Sequence, residues 1–296
     1  MAVKEARRRR ADDAGSGRSA AAVAAAAQFA CVLEASAEKP GNITPSHDFA
    51  DTSYEDMLRS AIALGPEIGR AGERGVGATV LAAVEATRRV AGSNTNLGIA
   101  LLLAPLARAA RTGDGPLRAG TEAVLAALTL EDARDAYAAI RAADAGGLDE
   151  PVEHDVRDAP TVTLRAAMAA AAGRDALAAE YAEGFPVTFD VGLPAIRRAL
   201  EDGLAPRAAI VETYLKLLAA VPDTLIARKR GRAEALRVSA AASAALAAGG
   251  VRDEPGRAAL RDLDADLRGD GNARNPGTTA DLVTAVLFVA LLEGLL

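Results

Sequence analysis

Gly98-Ile99-Ala100-Leu101-Leu102-Leu103-Ala104-Pro105-Leu106-Ala107-Arg108-Ala109-Ala110 is apolar on nearly every side of a helical wheel. A surface helix carries one apolar stripe, so a helix that is apolar all round must be covered by others. Ile99–Ala110 is therefore expected to be the central helix of a bundle, with Pro105 kinking it. The whole composition agrees. Half of the 296 residues are apolar, mostly alanine, while aromatics make up 3% and tryptophan is missing. Alanine is the strongest helix former and β-branched residues are sparse, so the fold class is all-α: a single bundle of about 11–13 helices.

Working outward from that helix, the upstream segments Ser19–Glu38, Ser53 onward and Ala78–Val90 read as helices. Ser53-x-x-Asp56 forms a capping box, and Gly65-Pro66 is expected to break the second helix, leaving 67–77 irregular. Downstream, Leu117–Leu128 and Leu130–Ala143 follow, the latter capped by Thr129. Residues 146–161, acidic and carrying His154, read as an insertion loop over the bundle. Helices are then expected over 163–171, 175–183, 194–202, 206–221, 232–248 and 254–267, with a basic turn at Pro222–Gly231 and a last helix after Asp281.

Residues 1–17 read as a disordered basic tail, which leaves 18–296 as a single all-α domain. The lone Cys31 excludes an intramolecular disulfide and a cysteine-based zinc site. A net charge of −6 gives no support to nucleic-acid binding. Leu282–Leu292 is strongly apolar but, at about 11 residues, too short to span a bilayer. The protein is expected to be soluble and cytoplasmic, and its small-residue surfaces allow a homodimer.

Against this alanine background four polar breaks stand out: Lys39–Asp51, Ser93–Gly98, Asp223–Gly231 and Asn275–Asp281. Each joins a Gly- or Pro-containing turn to a helix end. Free N–H groups and the dipole at a helix N-terminus favour an anion, and glycine lets the backbone approach it. With Lys39, Arg228, Lys229, Arg230 and Arg274 in or beside the breaks, the pattern suggests a polyphosphate ligand. Plainer readings exist for each. Thr278-x-x-Asp281 also reads as a capping box, Asn94 and Asn96 as turn formers, and Arg228-Lys229-Arg230 as a solvated basic surface. Glu34, one turn from the end of an apolar helix, is either solvent-facing or aimed into a site. No Walker A, Rossmann, HExxH or nucleophile-elbow pattern occurs.

Taken together and in order, Glu34-x4-Lys39-Pro40-Gly41, His47-Asp48 with Asp51, Asn94-Thr95-x-x-Gly98, Asp223-Thr224 and Pro276-Gly277-x-x-Ala280-Asp281-Leu282 resemble the triphosphoribosyl-dephospho-CoA synthase family. The resemblance spans residues 34 to 282. It implies an all-α fold and a glycosyl transfer in which a hydroxyl of 3′-dephospho-CoA attacks C1′ of the ribose of ATP. Adenine leaves and the triphosphate stays attached, giving a prosthetic-group precursor, with Mg²⁺ accompanying ATP. Familiar members carry His-Lys after the Asn-Thr of the second motif, where this chain has Asn96-Leu97. Its spellings are closer to a divergent branch, found in archaea and methylotrophic bacteria, that is associated with one-carbon cofactors.

An oxocarbenium-like transition state needs a nearby carboxylate, the acceptor hydroxyl needs a base, and adenine needs a proton. The resemblance thus gives Glu34 or Asp51 as base or electrostatic stabiliser and His47 as the proton donor to adenine. Asp223 and Asp281 are expected to hold Mg²⁺, partly through water. Lys39, Gly41, Asn42, Asn94, Thr95, Arg228, Asn275, Gly277 and Thr278 are expected to line the nucleotide and its phosphates. Two alternatives stay open. One is a nucleotide-dependent transferase acting on a methanopterin- or methanofuran-type intermediate; the other is a helical nucleotide-binding protein without turnover.

Overall fold

The computed structural model describes residues 17–92, 95–143 and 153–296. Fourteen α-helices and one π-helical turn lie among them, and no sheet forms there. The first, α1 (Ala20–Ala35), starts at Ser19, whose hydroxyl accepts from the N–H of Ala22. α2 (Tyr54–Gly69) begins with the capping box that Ser53 and Asp56 spell. α3 (Val76–Arg88) leads to α4 (Leu97–Thr112), the helix read first from the sequence. α5 (Leu117–Ala126) and α6 (Leu130–Ala142) follow, α6 with its own Thr129–Asp132 capping box. α7 (Leu164–Ala171), α8 (Ala176–Glu183), the π turn (Val187–Gly192), α9 (Leu193–Glu201) and α10 (Pro206–Ala220) make the next layer. α11 (Thr224–Arg230), α12 (Arg232–Ala247), α13 (Glu254–Arg268) and α14 (Gly277–Glu293) complete the chain, with a short extended segment, Gly269–Asn272, between the last two.

Gly65-Pro66 does not break α2. Proline has no N–H for the carbonyl one turn back, but Gln28 of α1 supplies one, its Nε2 donating to the Ile62 oxygen at 3.0 Å. Gly65 makes room for that side chain, since a Cβ there would stand 2.2 Å from Gln28 Cγ. α4 repeats the device. Pro105 leaves the Leu101 carbonyl without its helical donor, and the hydroxyl of Tyr181 on α8 fills the place at 2.6 Å. Both prolines therefore sit inside continuous helices because a neighbour replaces the lost bond.

The core is one contiguous cluster running from Val23 of α1 to Ala290 of α14. α4 is buried nearly all round, as its pattern predicts, but it shares the centre. α14 is buried at Thr278, Thr279 and continuously from Leu282 to Ala290, and packs against α1, α4, α8, α9, α10, α11 and the π turn. The expected basic turn at 222–231 is instead the helix α11, because Asp223 caps it with bonds from Leu225 and Ile226 N–H. The π turn was not foreseen. It begins where the buried Glu180 accepts from the N–H groups of Val187 and Thr188 and from the Thr188 hydroxyl. Burial pushes this carboxyl up to about 7. No helix among the described residues is long and apolar enough to cross a membrane. Residues 1–16 of the expected tail, 146–152 of the expected loop, and Ser93 and Asn94 of the second polar break lie outside the described residues.

Candidate functional site

The site assembles from helix N-termini. Asp175 begins α8, accepting from Leu177 and Ala178 N–H at 2.9 and 3.2 Å. Asp223 begins α11 with one carboxylate oxygen, and with the other accepts from the N–H and hydroxyl of Thr279 in α14, both at 2.8 Å. Hydroxyls stitch the three ends together: Thr224 accepts from Ala176 N–H, Thr278 accepts from Leu225 N–H, and the two hydroxyls lie 3.2 Å apart. The start of α4 joins them through Gly98. A Cβ on Gly98 would stand 2.0 Å from Asp281 Oδ2 and 3.0 Å from Leu177 Cδ2, so only glycine lets α4 meet both α14 and α8. Four partially positive helix ends thus converge, with Arg228 beside them, its guanidinium 2.6 Å from Asp175.

Glu34 approaches the same place from the last turn of α1. It is buried, and so is Lys39, whose ammonium lies 3.1 Å from Glu34 Oε1. The same ammonium donates to the backbone carbonyls of Glu34 and Ala37. Its three protons are therefore used, and Lys39 serves to hold Glu34 and close the C-terminus of α1 rather than to reach a phosphate. Burial raises the Glu34 carboxyl above its ordinary value, and Lys39 opposes that rise. Asp281 is different. Among the described residues its carboxylate takes no hydrogen bond, and α14 begins at Gly277, so it is not the N3 carboxylate of a capping box. Burial, then the negative charges of Glu34 and Asp223, raise it well above the usual range, with Arg228 opposing.

The expected site residues fall into three groups. Glu34, Lys39, Asp223, Arg228, Thr278 and Asp281 come together as described. Gly277 adjoins them, its Cα closed in by Leu225, and Asn275 just before it has a buried Oδ1 without a partner. Gly41 and Asn42 lie in the turn after Lys39, and the Thr95 hydroxyl is 2.6 Å from that of Ser60. His47 and Asp51 stand apart from this cluster. Both are exposed, His47 where it closes a hairpin-like turn with Thr44 and Asp51 in the next turn, closed by Phe49 N–H on the Thr52 carbonyl. No hydrogen bond or ion pair joins either to Glu34, Lys39, Asp223 or Asp281. Short polar side chains in a loop between helices gave no means of telling which would turn inward.

The geometry also restricts a metal. Both oxygens of Asp223 are committed to N–H and hydroxyl donors, so Asp223 is a cap and not a free ligand. No cluster of three or more His, Cys, Asp or Glu suited to a metal occurs among the described residues. Asp281 is the uncommitted carboxylate. That set fits Mg²⁺ arriving with phosphates, which needs one or two protein carboxylates and keeps several waters. Sequence reasoning missed Asp175, and also Tyr214, Asp264 and Arg268, which hold the Lys39–Asn42 turn. Of these only Tyr214 left a trace, as a hydroxyl inside an apolar helix that must find a partner once buried.

Comparison with known proteins bears on this arrangement. The family model described as ATP:dephospho-CoA triphosphoribosyl transferase (CitG) matches residues 20–296. A protein of Stutzerimonas stutzeri (strain A1501), described as a probable 2-(5''-triphosphoribosyl)-3'-dephosphocoenzyme-A synthase, is 29% identical over 224 residues, covering 75% of this chain and 66% of that protein. A relative with the same description from Pseudomonas paraeruginosa (strain DSM 24068 / PA7) is 37% identical over 106 residues, which is 36% of either chain. The chain thus matches only about a third to two thirds of the length of these two relatives. A crystal structure from Archaeoglobus fulgidus, provisionally described as triphosphoribosyl-dephospho-coA synthase, superposes with a TM-score of 0.63 at 28% identity, covering 80% of this chain and 99% of that one. With the family matched from the first helix to the last residue, the chain belongs to the ATP:dephospho-CoA triphosphoribosyl transferase family.

Proposed function

We propose that the protein transfers the triphosphoribosyl group of ATP to the hydroxyl of a dephospho-CoA-like acceptor. The bond from ribose C1′ to adenine breaks, a bond from C1′ to the acceptor oxygen forms, and the acceptor's proton balances the one adenine takes up. The observation that carries this reading is the placement of Glu34. A buried carboxylate held by Lys39 at the end of α1 bears on Asp281 of α14, the helix packed against α1, where four helix N-termini meet.

The N-termini of α4 and α14, with Arg228, would hold the triphosphate, since the first N–H groups of α8 and α11 are taken by Asp175 and Asp223. Mg²⁺ enters as part of the substrate, and Asp281 is the carboxylate available to it, partly through water. Glu34 is the group suited to stabilise positive charge developing at C1′ and to receive the acceptor's proton. Asp223 keeps α11 and α14 in register. His47 and Asp51, on the exposed loop, have no part in this assignment.

The test is adenine release from Mg-ATP by the purified protein, with and without 3′-dephospho-CoA. Adenine formed only with the acceptor supports the reaction. Glu34→Gln should then lower kcat by about 100-fold with folding intact, and full turnover by that variant would remove Glu34 from catalysis.

A second reading keeps the ATP site and changes the acceptor, to a one-carbon cofactor intermediate. It is favoured by Asn96, which replaces the histidine of familiar members and is buried with its Nδ2 unbonded at the start of α4. ATP binding without adenine release in the presence of dephospho-CoA would select it. ATP binding with no product from any acceptor would point to a non-catalytic nucleotide-binding protein.

A further inference from the structure

The turn that carries Lys39 is held more firmly than a turn requires. Three consecutive residues are bonded to side chains more than 170 positions away. The Pro40 carbonyl accepts from the Tyr214 hydroxyl at 2.7 Å, the Gly41 N–H donates to Asp264 Oδ1 at 2.7 Å, and the Asn42 carbonyl accepts from Arg268 Nη2 at 2.7 Å. The Asn42 side-chain amide adds a bond to the Tyr214 hydroxyl at 2.9 Å. Arg268 also grips Asp264, one turn back on α13, at 2.8 Å. Gly41 sits at φ +75°, and a Cβ there would stand 2.8 Å from Leu267 Cβ and 3.1 Å from Pro276 Cδ. The turn is therefore seated between α13 and the start of α14.

Most loops satisfy their backbone with water or local bonds. Here the direct bonds fix the turn in absolute position. Lys39 is its first residue, and the Lys39 ammonium fixes the Glu34 carboxylate. Pro276, against which Gly41 rests, opens the helix that carries Asp281. Any shift of the turn moves Glu34's partner relative to Asp281. We propose that Asp264, Arg268 and Tyr214 are positioning residues, a latch from α10 and α13 that holds Lys39, and through it the Glu34 carboxylate, in place against the start of α14 before substrate arrives. This rests on the proposed function only for its kinetic consequence. The side chains of Asp264 and Arg268 are about a quarter exposed, so they can be changed without opening the core.

The experiment compares Asp264→Ala, Asp264→Asn and Tyr214→Phe with the wild type. Asp264→Ala is expected to lower kcat by about 30-fold with KM for ATP within about twofold, because misplacement by a fraction of an ångström penalises the transition state and not binding. Asp264→Asn keeps an oxygen for the Gly41 N–H and should recover kcat to within about threefold. Combining Asp264→Ala with Glu34→Gln should cost no more than Glu34→Gln alone. Independently of turnover, labelling of Lys39 by an amine-reactive reagent, read by peptide mass spectrometry against Lys229, should rise about tenfold or more in Asp264→Ala and Tyr214→Phe.

A kcat that falls only with the folded fraction, additive effects with Glu34→Gln, or Lys39 as protected in both variants as in the wild type would overturn the latch. Should the wild type release no adenine with any acceptor, the proposed function fails, and the latch is judged on Lys39 labelling alone.

Discussion

Replacing Lys39 with methionine isolates the physics of the site. The substitution keeps most of the side-chain volume and removes the charge. Glu34 is then buried without its ion-pair partner, and the carbonyls of Glu34 and Ala37 keep only their backbone donors. Breaking a buried ion pair from one side costs about 3–5 kcal/mol. With an unfolding entropy of about 2.1 cal/mol/K per residue over the roughly 270 described residues, 4 kcal/mol lowers Tm by about 7 °C. The pH dependence separates charge from packing. Without Lys39, the folded-state Glu34 carboxyl rises further above its ordinary 4.5. A carboxyl raised in the folded state contributes stability that is present below the unfolded value and is lost as pH rises through the folded one. The deficit of Lys39→Met should therefore be smallest in acid, below the ordinary carboxyl value, and grow as pH rises above it, followed by urea unfolding at several pH values. Adding Glu34→Gln should return about half or more of the loss. A deficit independent of pH, or no recovery in the double variant, would refute the pairing as the source of the effect.

Other substitutions test other parts of the fold. Gly98→Ala puts a methyl 2.0 Å from Asp281 Oδ2; turnover should fall about 100-fold with helicity by circular dichroism unchanged. Tyr181→Phe leaves the Leu101 carbonyl buried and unpaired, a loss of about 1–3 kcal/mol by chemical denaturation. Glu180, raised to about 7, should make stability fall between about pH 4.5 and about pH 7, by on the order of 3 kcal/mol in total. Glu180→Gln should flatten that slope, and a slope that persists would place its origin elsewhere.

Much of the fold is legible because alanine and leucine periodicity reports helices directly, and the described helices other than α11 lie close to where the pattern puts them. The failures share a cause. Local propensity alone decides the readings of Pro66 and Pro222–Gly231, yet Gln28 overrides the first by supplying a donor from α1, and Asp223 overrides the second by capping the residues that follow it. The site shows the same division. Glu34, Arg228, Thr278 and Asp281 are marked by polar residues at helix ends. The cluster could not be separated from His47 and Asp51 by sequence alone, because which side chain of a loop turns inward depends on distant partners such as Tyr214 and Asp264. Lys39 is expected from its sequence to line the phosphates; its three acceptors become visible only in three dimensions.

The two interior prolines have a consequence for how the chain acquires its shape. A helix with a missing bond is poorly populated on its own, since each lost link weakens an already costly nucleus. α2 is completed only when α1 docks and lends Gln28, and α4 only when Tyr181, 80 residues further on, arrives. Neither helix is then an autonomous unit. Their formation is tied to assembly of the layers around them, which should make unfolding all-or-none across the bundle and leave few half-built states with the apolar α4 uncovered.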